Sequence, residues 1–129
     1  MASKNSQSET IKEVVTAATR AISGNKELEI NFGGMGTSLP HPPKTLKELS
    51  AYRGKADSLA CAEKYRDKSV RITGSNEKVN SLIKVMEDSR VEILGSKNYP
   101  GIATNIKSKF DDKCKLYESF EDHEDHLEI

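Results

Sequence analysis

The residues best suited to chemistry stand near the end of the chain, in Glu121-Asp122-His123-Glu124-Asp125-His126. Two imidazoles three residues apart among carboxylates are donors for a borderline divalent ion if the segment is helical. A specific site also needs neighbours that orient the ligands, and the surrounding acidic sequence supplies none. His123 and His126 are therefore candidates for weak ion binding. Asp57 and Cys61 share a helical i, i+4 spacing but have no histidine beside them, a pattern of packing more than of metal ligation. No His-Glu-x-x-His run occurs, so a zinc hydrolase is excluded. His41 stands alone between prolines.

Gly33-Gly34-Met35-Gly36-Thr37 follows an apolar alternation and invites comparison with a phosphate loop. It lacks the Gly-Lys-Ser/Thr ending, and Pro40 follows where a helix should start; both nucleotide-binding fingerprints are absent. No Ser or Cys sits in a nucleophile setting. Catalysis by this chain alone is not expected.

Charge inside apolar stripes is the more telling signal. Arg53 lies among Leu46, Leu49, Tyr52, Ala56, Leu59 and Ala60, and Arg90 among Val79, Leu82, Ile83, Met86, Ile93 and Leu94. Arginine keeps its charge at ordinary pH and needs acceptors once desolvated. Asp57 and Glu87 border the same stripes. Helices packed face to face would pair Arg53 with Glu87 and Arg90 with Asp57, a clamp that sets register. Two other readings stay open: snorkelling to solvent along the stripe edge, and direct contact with a partner.

The elements that must position these residues are legible from periodicity. Ile11, Val14, Val15, Ala18 and Ile22 mark a first helix, opened by a capping box at Ser6 and Glu9 and stopped by Gly24. Leu28, Ile30 and Phe32 alternate as a half-buried strand, and 37–39 would return as the second strand of a hairpin. Pro40-His41-Pro42-Pro43 is a stiff connector. A capping box at Thr45 and Glu48 opens a helix to about Tyr65. Residues 70–72 form a short strand or a connector. A third helix runs from about Glu77 to Leu94, where Gly95 supplies the stop. Pro100 suits the first turn of a fourth, packed through Ile102, Ala103, Ile106 and Phe110. The expected fold is α+β, predominantly helical, with four to five helices around a small β-hairpin. Residues 1–8 read as a disordered tail, 9–110 as the domain, and 111–129 as an acidic tail.

A chain of 129 residues suffices for one domain with a modest core. Net charge is zero but unevenly spread. From Asp111 onward eight acidic side chains face two lysines, leaving eighteen basic against twelve acidic residues before it. Both signs are interspersed in that body, so it reads as a solvated surface and not a nucleic-acid footprint. Two distant cysteines form no disulfide framework. With no apolar leader and no run of transmembrane length, a cytoplasmic protein without membrane contact is expected.

Four segments together resemble the N-terminal region of CobT, a subunit of the aerobic, ATP-dependent cobaltochelatase. They are 20–24 running into 28–32; 39–43; 53–60; and 89–96 with 101–106. Arg53 and Arg90 fall in two of them. The resemblance implies an accessory subunit of a ligase that forms nitrogen–metal bonds, with no active site of its own. Its partners would be an AAA+ ATPase subunit and a large subunit that holds the corrin ring, hydrogenobyrinic acid a,c-diamide. No cofactor is expected on this chain; ATP, Mg²⁺ and Co²⁺ are implied for the complex, within which the chain would be oligomeric. The stretch 111–129 resembles the start of the family's interdomain linker; the von Willebrand A-like domain of the family does not appear in this sequence. The alternative is a stand-alone metal-handling protein that binds Co²⁺ through His123 and His126.

Overall fold

Four α-helices follow one another: α1 (Lys4–Ser23), α2 (Leu49–Tyr65), α3 (Glu77–Asn98) and α4 (Pro100–Asp125), with a 3-10 turn at Leu46–Glu48 leading into α2. The computed structural model describes residues 4–33, 39–67, 69 and 73–125, with side chains for 6–33, 39–67, 69 and 73–119. Helix α2 is the hub and packs against each of the other three.

Helix α1 begins at Lys4, inside the stretch expected to be a tail, and the Ser6–Glu9 capping box is not formed; Ser6 is already helical and its carbonyl accepts from Thr10 Oγ1. The helix ends at Gly24, whose φ of 76° is a left-handed value that glycine adopts without a Cβ clash. The chain then turns back and Arg20 Nε donates to Leu28 O at 2.9 Å, fixing the start of the extended segment.

That segment is the main departure from expectation. The fold is all-helical: among the described residues there is no strand, and the α+β class with its β-hairpin is incorrect. Phe32 and Leu39 form one isolated parallel bridge, with Gly33 N donating to Leu39 O and Leu39 N donating to Asn31 O. A ladder cannot extend past Leu39, because Pro40, Pro42 and Pro43 have no N–H to offer. Side chains hold the segment instead. Leu39 is 2% exposed and packs with Val15, Tyr52 and Ala56, against which Ile11, Ile30, Phe32 and Leu59 also lie. The Tyr52 hydroxyl donates to Pro40 O at 2.8 Å. Thr45 makes no side-chain cap; it precedes the 3-10 turn. Residues 34–38 and 70–72, expected to form the turn, the return strand and a possible third strand, lie outside the described residues.

A second core cluster joins the other half of α2 to α3 and α4: Cys61, Val91 and Ile102, flanked by Ile22, Ala62, Tyr65 and Ile106. Helix α3 opens with Asn76 as its cap, the side chain accepting from Val79 N at 3.0 Å. It does not stop at Gly95 but runs on to Asn98, and Tyr99 alone separates it from α4. Gly95 serves packing: a Cβ there would overlap Cys61 Sγ. Helix α4 continues through the acidic stretch to Asp125.

Candidate functional site

A set of buried and half-buried polar residues lies along the seam where α2 meets α3 and α4. Gly54 makes the approach possible, since a Cβ at that position would overlap the backbone oxygen of Asn105 and lie 2.8 Å from Lys109 Cβ. Across this contact Asn105 Nδ2 donates to Asp57 Oδ2 at 2.8 Å. Two turns before Asp57 on α2, Ser50 Oγ meets Ser108 Oγ at 2.8 Å and Asn105 Oδ1 at 3.4 Å. On the other side of Asp57, Ser58 Oγ donates to Glu92 Oε1 at 2.7 Å, and Lys109 Nζ reaches Ser58 Oγ at 2.7 Å and Glu92 Oε1 at 2.6 Å. One lysine thus ties three helices.

Asp57 is 4% exposed, the one buried carboxylate among the described residues. Burial pushes its pKa up; the Asn105 hydrogen bond and the nearby Arg53 charge oppose the rise without cancelling it. The same environment acts on Cys61, one turn further on. Burial first, then the carboxylates of Asp57 and Glu92, push its thiol up to about 11. Such a thiol stays protonated at neutral pH and does not act as a nucleophile.

The four residues singled out from the helical stripes end up in different settings. Asp57 is the buried member, and its partner is Asn105 on α4. Arg53 is exposed, one helical turn before it. Arg90 is also exposed and donates to both carboxylate oxygens of Glu87, its neighbour on α3, at 2.6 and 2.9 Å. A further bond from Arg90 Nη2 to Tyr65 O at 3.0 Å satisfies a carbonyl at the end of α2. The partners are thus a same-helix carboxylate, a backbone carbonyl and a neutral amide, instead of two arginine–carboxylate pairs across helices. The register devices that periodicity missed are Asn105, Glu92 and Lys109; the polar positions inside the α4 stripe, i−1 and i+3 to Ile106, were the available signal.

Ligand-forming groups are sparse. Among the described residues no three His, Cys, Asp or Glu side chains come together as a possible metal set. His126 lies outside the described residues, and the His123 side chain lies outside those described. No helix among them is long and apolar enough to cross a membrane.

Several large apolar side chains are exposed at the surface. On α3 the stripe Leu82, Met86 and Ile93 points away from the core, at 60%, 64% and 57% exposure, while the buried Val91 and Gly95 lie on the opposite side of the helix. Arg90 sits within this outward stripe. A shallow groove of about 440 Å³ adjoins its Ile93 end, lined by Ser89, Glu92, Ile93, Ser96 and Lys97 of α3 and Ile106 of α4. A second groove of about 420 Å³ lies between α1 and the 3-10 turn, with Ile11, Pro43, Leu46 and Leu49 on its walls.

A family model described as cobalamin biosynthesis protein CobT matches residues 5–125, nearly the whole chain. The chain belongs to the CobT family. That places it in cobalamin biosynthesis. The match runs from α1 to the end of α4, so the CobT region includes both the helical body and the acidic continuation of α4. No solved structure matches the chain significantly.

Proposed function

We propose that this CobT-family chain is a non-catalytic interaction module of a cobaltochelatase complex, supporting ATP-driven insertion of Co²⁺ into the corrin ring. Its partners in this reading are the AAA+ ATPase subunit and the large corrin-binding subunit. The observation that carries it is the division of labour among side chains. Asp57 with Asn105, and Ser58 and Glu92 with Lys109, engage one another between helices, whereas Ile93 and Ile106 line one open groove and Ile11, Leu46 and Leu49 another. Surfaces of that kind serve protein contacts.

Capture of the two chelatase subunits by the full 129-residue chain tests this. Leu46→Asp is the informative variant, because Leu46 is 86% exposed and its loss leaves the core intact. Retention of at least one subunit by the parent chain and weakened retention by the variant are expected. Failure to retain either subunit overturns the reading. Stoichiometric Co²⁺ binding that is lost in His123→Ala with His126→Ala would favour the metal-handling alternative.

A further inference from the structure

We infer that the outward face of the α3–α4 pair receives an acidic amphipathic helix of a partner protein, its apolar stripe seated in the groove at Ile93 and Ile106 and its carboxylates on the lysines of that face. On α3 the outward residues are Leu82, Met86 and Ile93, while the buried Val91 and Gly95 lie on the other side. On α4, Ile106, Phe110 and Tyr117 share one face by their i, i+4, i+11 spacing, and Phe110 and Tyr117 are 61% and 60% exposed. Each helix thus shows water apolar side chains outside its contact with α2.

The charges on this face select the occupant. With about 100° of rotation per residue, Lys78, Arg90 and Lys97 fall within about 60° of the α3 stripe, whereas Glu77, Glu87, Asp88 and Glu92 lie about 100° or more from it. Three of those carboxylates are already held: Glu87 by Arg90, Asp88 by Arg66 and Lys84, and Glu92 by Lys109. Lys78 and Lys97 make no ion pair among the described residues, and Lys97 lines the groove beside Ile93. On α4, Lys113 stands between Phe110 and Tyr117 and is unpaired in the same sense, while Asp111, Asp112 and Glu118 lie off that face. The uncommitted charge is therefore positive, carried by three separate lysines beside apolar side chains. A helix whose own stripe is bordered by Glu or Asp meets both features at once. An anionic membrane fits less well. Lys97 and Lys113 stand among the apolar residues instead of along a polar edge at headgroup level, and the chain carries no net positive charge. The inference concerns this face only and does not depend on the chelatase reading.

The test uses the full chain and two synthetic helical peptides that share one leucine stripe, bordered in one by glutamates and in the other by lysines. By fluorescence anisotropy at low salt, the glutamate peptide is expected to bind roughly tenfold or more tightly than the lysine peptide. Added salt should narrow the gap. Ile93→Asp, at a 57% exposed position and checked for retained helicity, is expected to abolish binding. Lys97→Glu with Lys113→Glu should reverse the preference, so that the lysine peptide binds more tightly; both positions are exposed, which leaves the core intact. Binding of neither peptide, equal binding of both, or binding indifferent to these variants overturns the inference. So does a face occupied otherwise: attachment to phosphatidylglycerol vesicles, or a dimer in sedimentation, that Ile93→Asp abolishes.

Discussion

Asn105 on α4 holds the buried carboxylate of Asp57 on α2 at 2.8 Å, a neutral donor where a cation was expected. A neutral amide reaches Asp57 because Gly54, one turn away, lets the two backbones come together. Truncating Asn105 leaves the buried Asp57 carboxylate without this hydrogen bond, which costs about 1–3 kcal/mol. Asn105→Ala is expected to lower stability by that amount in denaturant melts, with more effect than an alanine at exposed Lys107 on the same helix.

The pH dependence of this site has a definite sign. Burial raises the folded-state pKa of Asp57 above its unfolded value. Its contribution to stability is therefore complete below the ordinary aspartate range, about pH 4, and is lost as pH rises through the folded value. Relative to Asp57→Asn, the parent chain should become steadily less stable over that rise. Stability measured in parallel across pH checks this, and a difference that grows in the opposite direction would show that hydrogen bonding to the anion outweighs desolvation.

Close helix contact at Gly54 makes a second prediction with a clear sign. On propensity alone Gly54→Ala should stabilise α2 by about 1 kcal/mol. The backbone oxygen of Asn105 occupies the space, so the substitution is expected to destabilise instead, by about 1–3 kcal/mol as overpacking does. Thermal unfolding of the single variant decides between them.

Gly95 and Cys61 should be coupled. A methyl at Gly95 overlaps Cys61 Sγ, and Cys61→Ala removes that atom. Gly95→Ala is expected to be damaging in the parent chain and markedly milder in the Cys61→Ala background. A double-mutant cycle reads the difference, and independent sites would give simple additivity.

Arg90 lies on the surface, bonded to Glu87 and to Tyr65 O. Arg90→Met should change stability much less than Asn105→Ala does, since an exposed pair is screened and re-solvated when broken. A loss as large as that of Asn105→Ala would show that the bond to the α2 terminus has an anchoring role its exposure does not suggest.

Periodicity served well wherever one face alone meets the core. Val15, Tyr52, Ala56, Ala60 and Ile102 all stood in stripes drawn from spacing, and all are buried. It misled on α3, because an apolar stripe marks a surface that avoids water without saying which neighbour covers it. The real core side of α3 is small, with Gly95 as its point of contact, and a glycine in sequence reads more readily as a helix stop. Leu28, Ile30 and Phe32 alternate as a strand does, yet burial of that face against α1 and α2 satisfies the same pattern without a partner strand. Arg53 and Arg90 were read inside those stripes, and both are exposed. Their partners were not legible, since relative helix rotation decides which polar group arrives opposite which.

The most direct measurement is co-purification of the full chain with the AAA+ ATPase and the large corrin-binding subunit, mixed with and without ATP. An interaction module should be retained in a complex containing one or both subunits, with retention reduced by Leu46→Asp. Passage of the folded chain through the column free of both, under either nucleotide condition, would contradict the assignment.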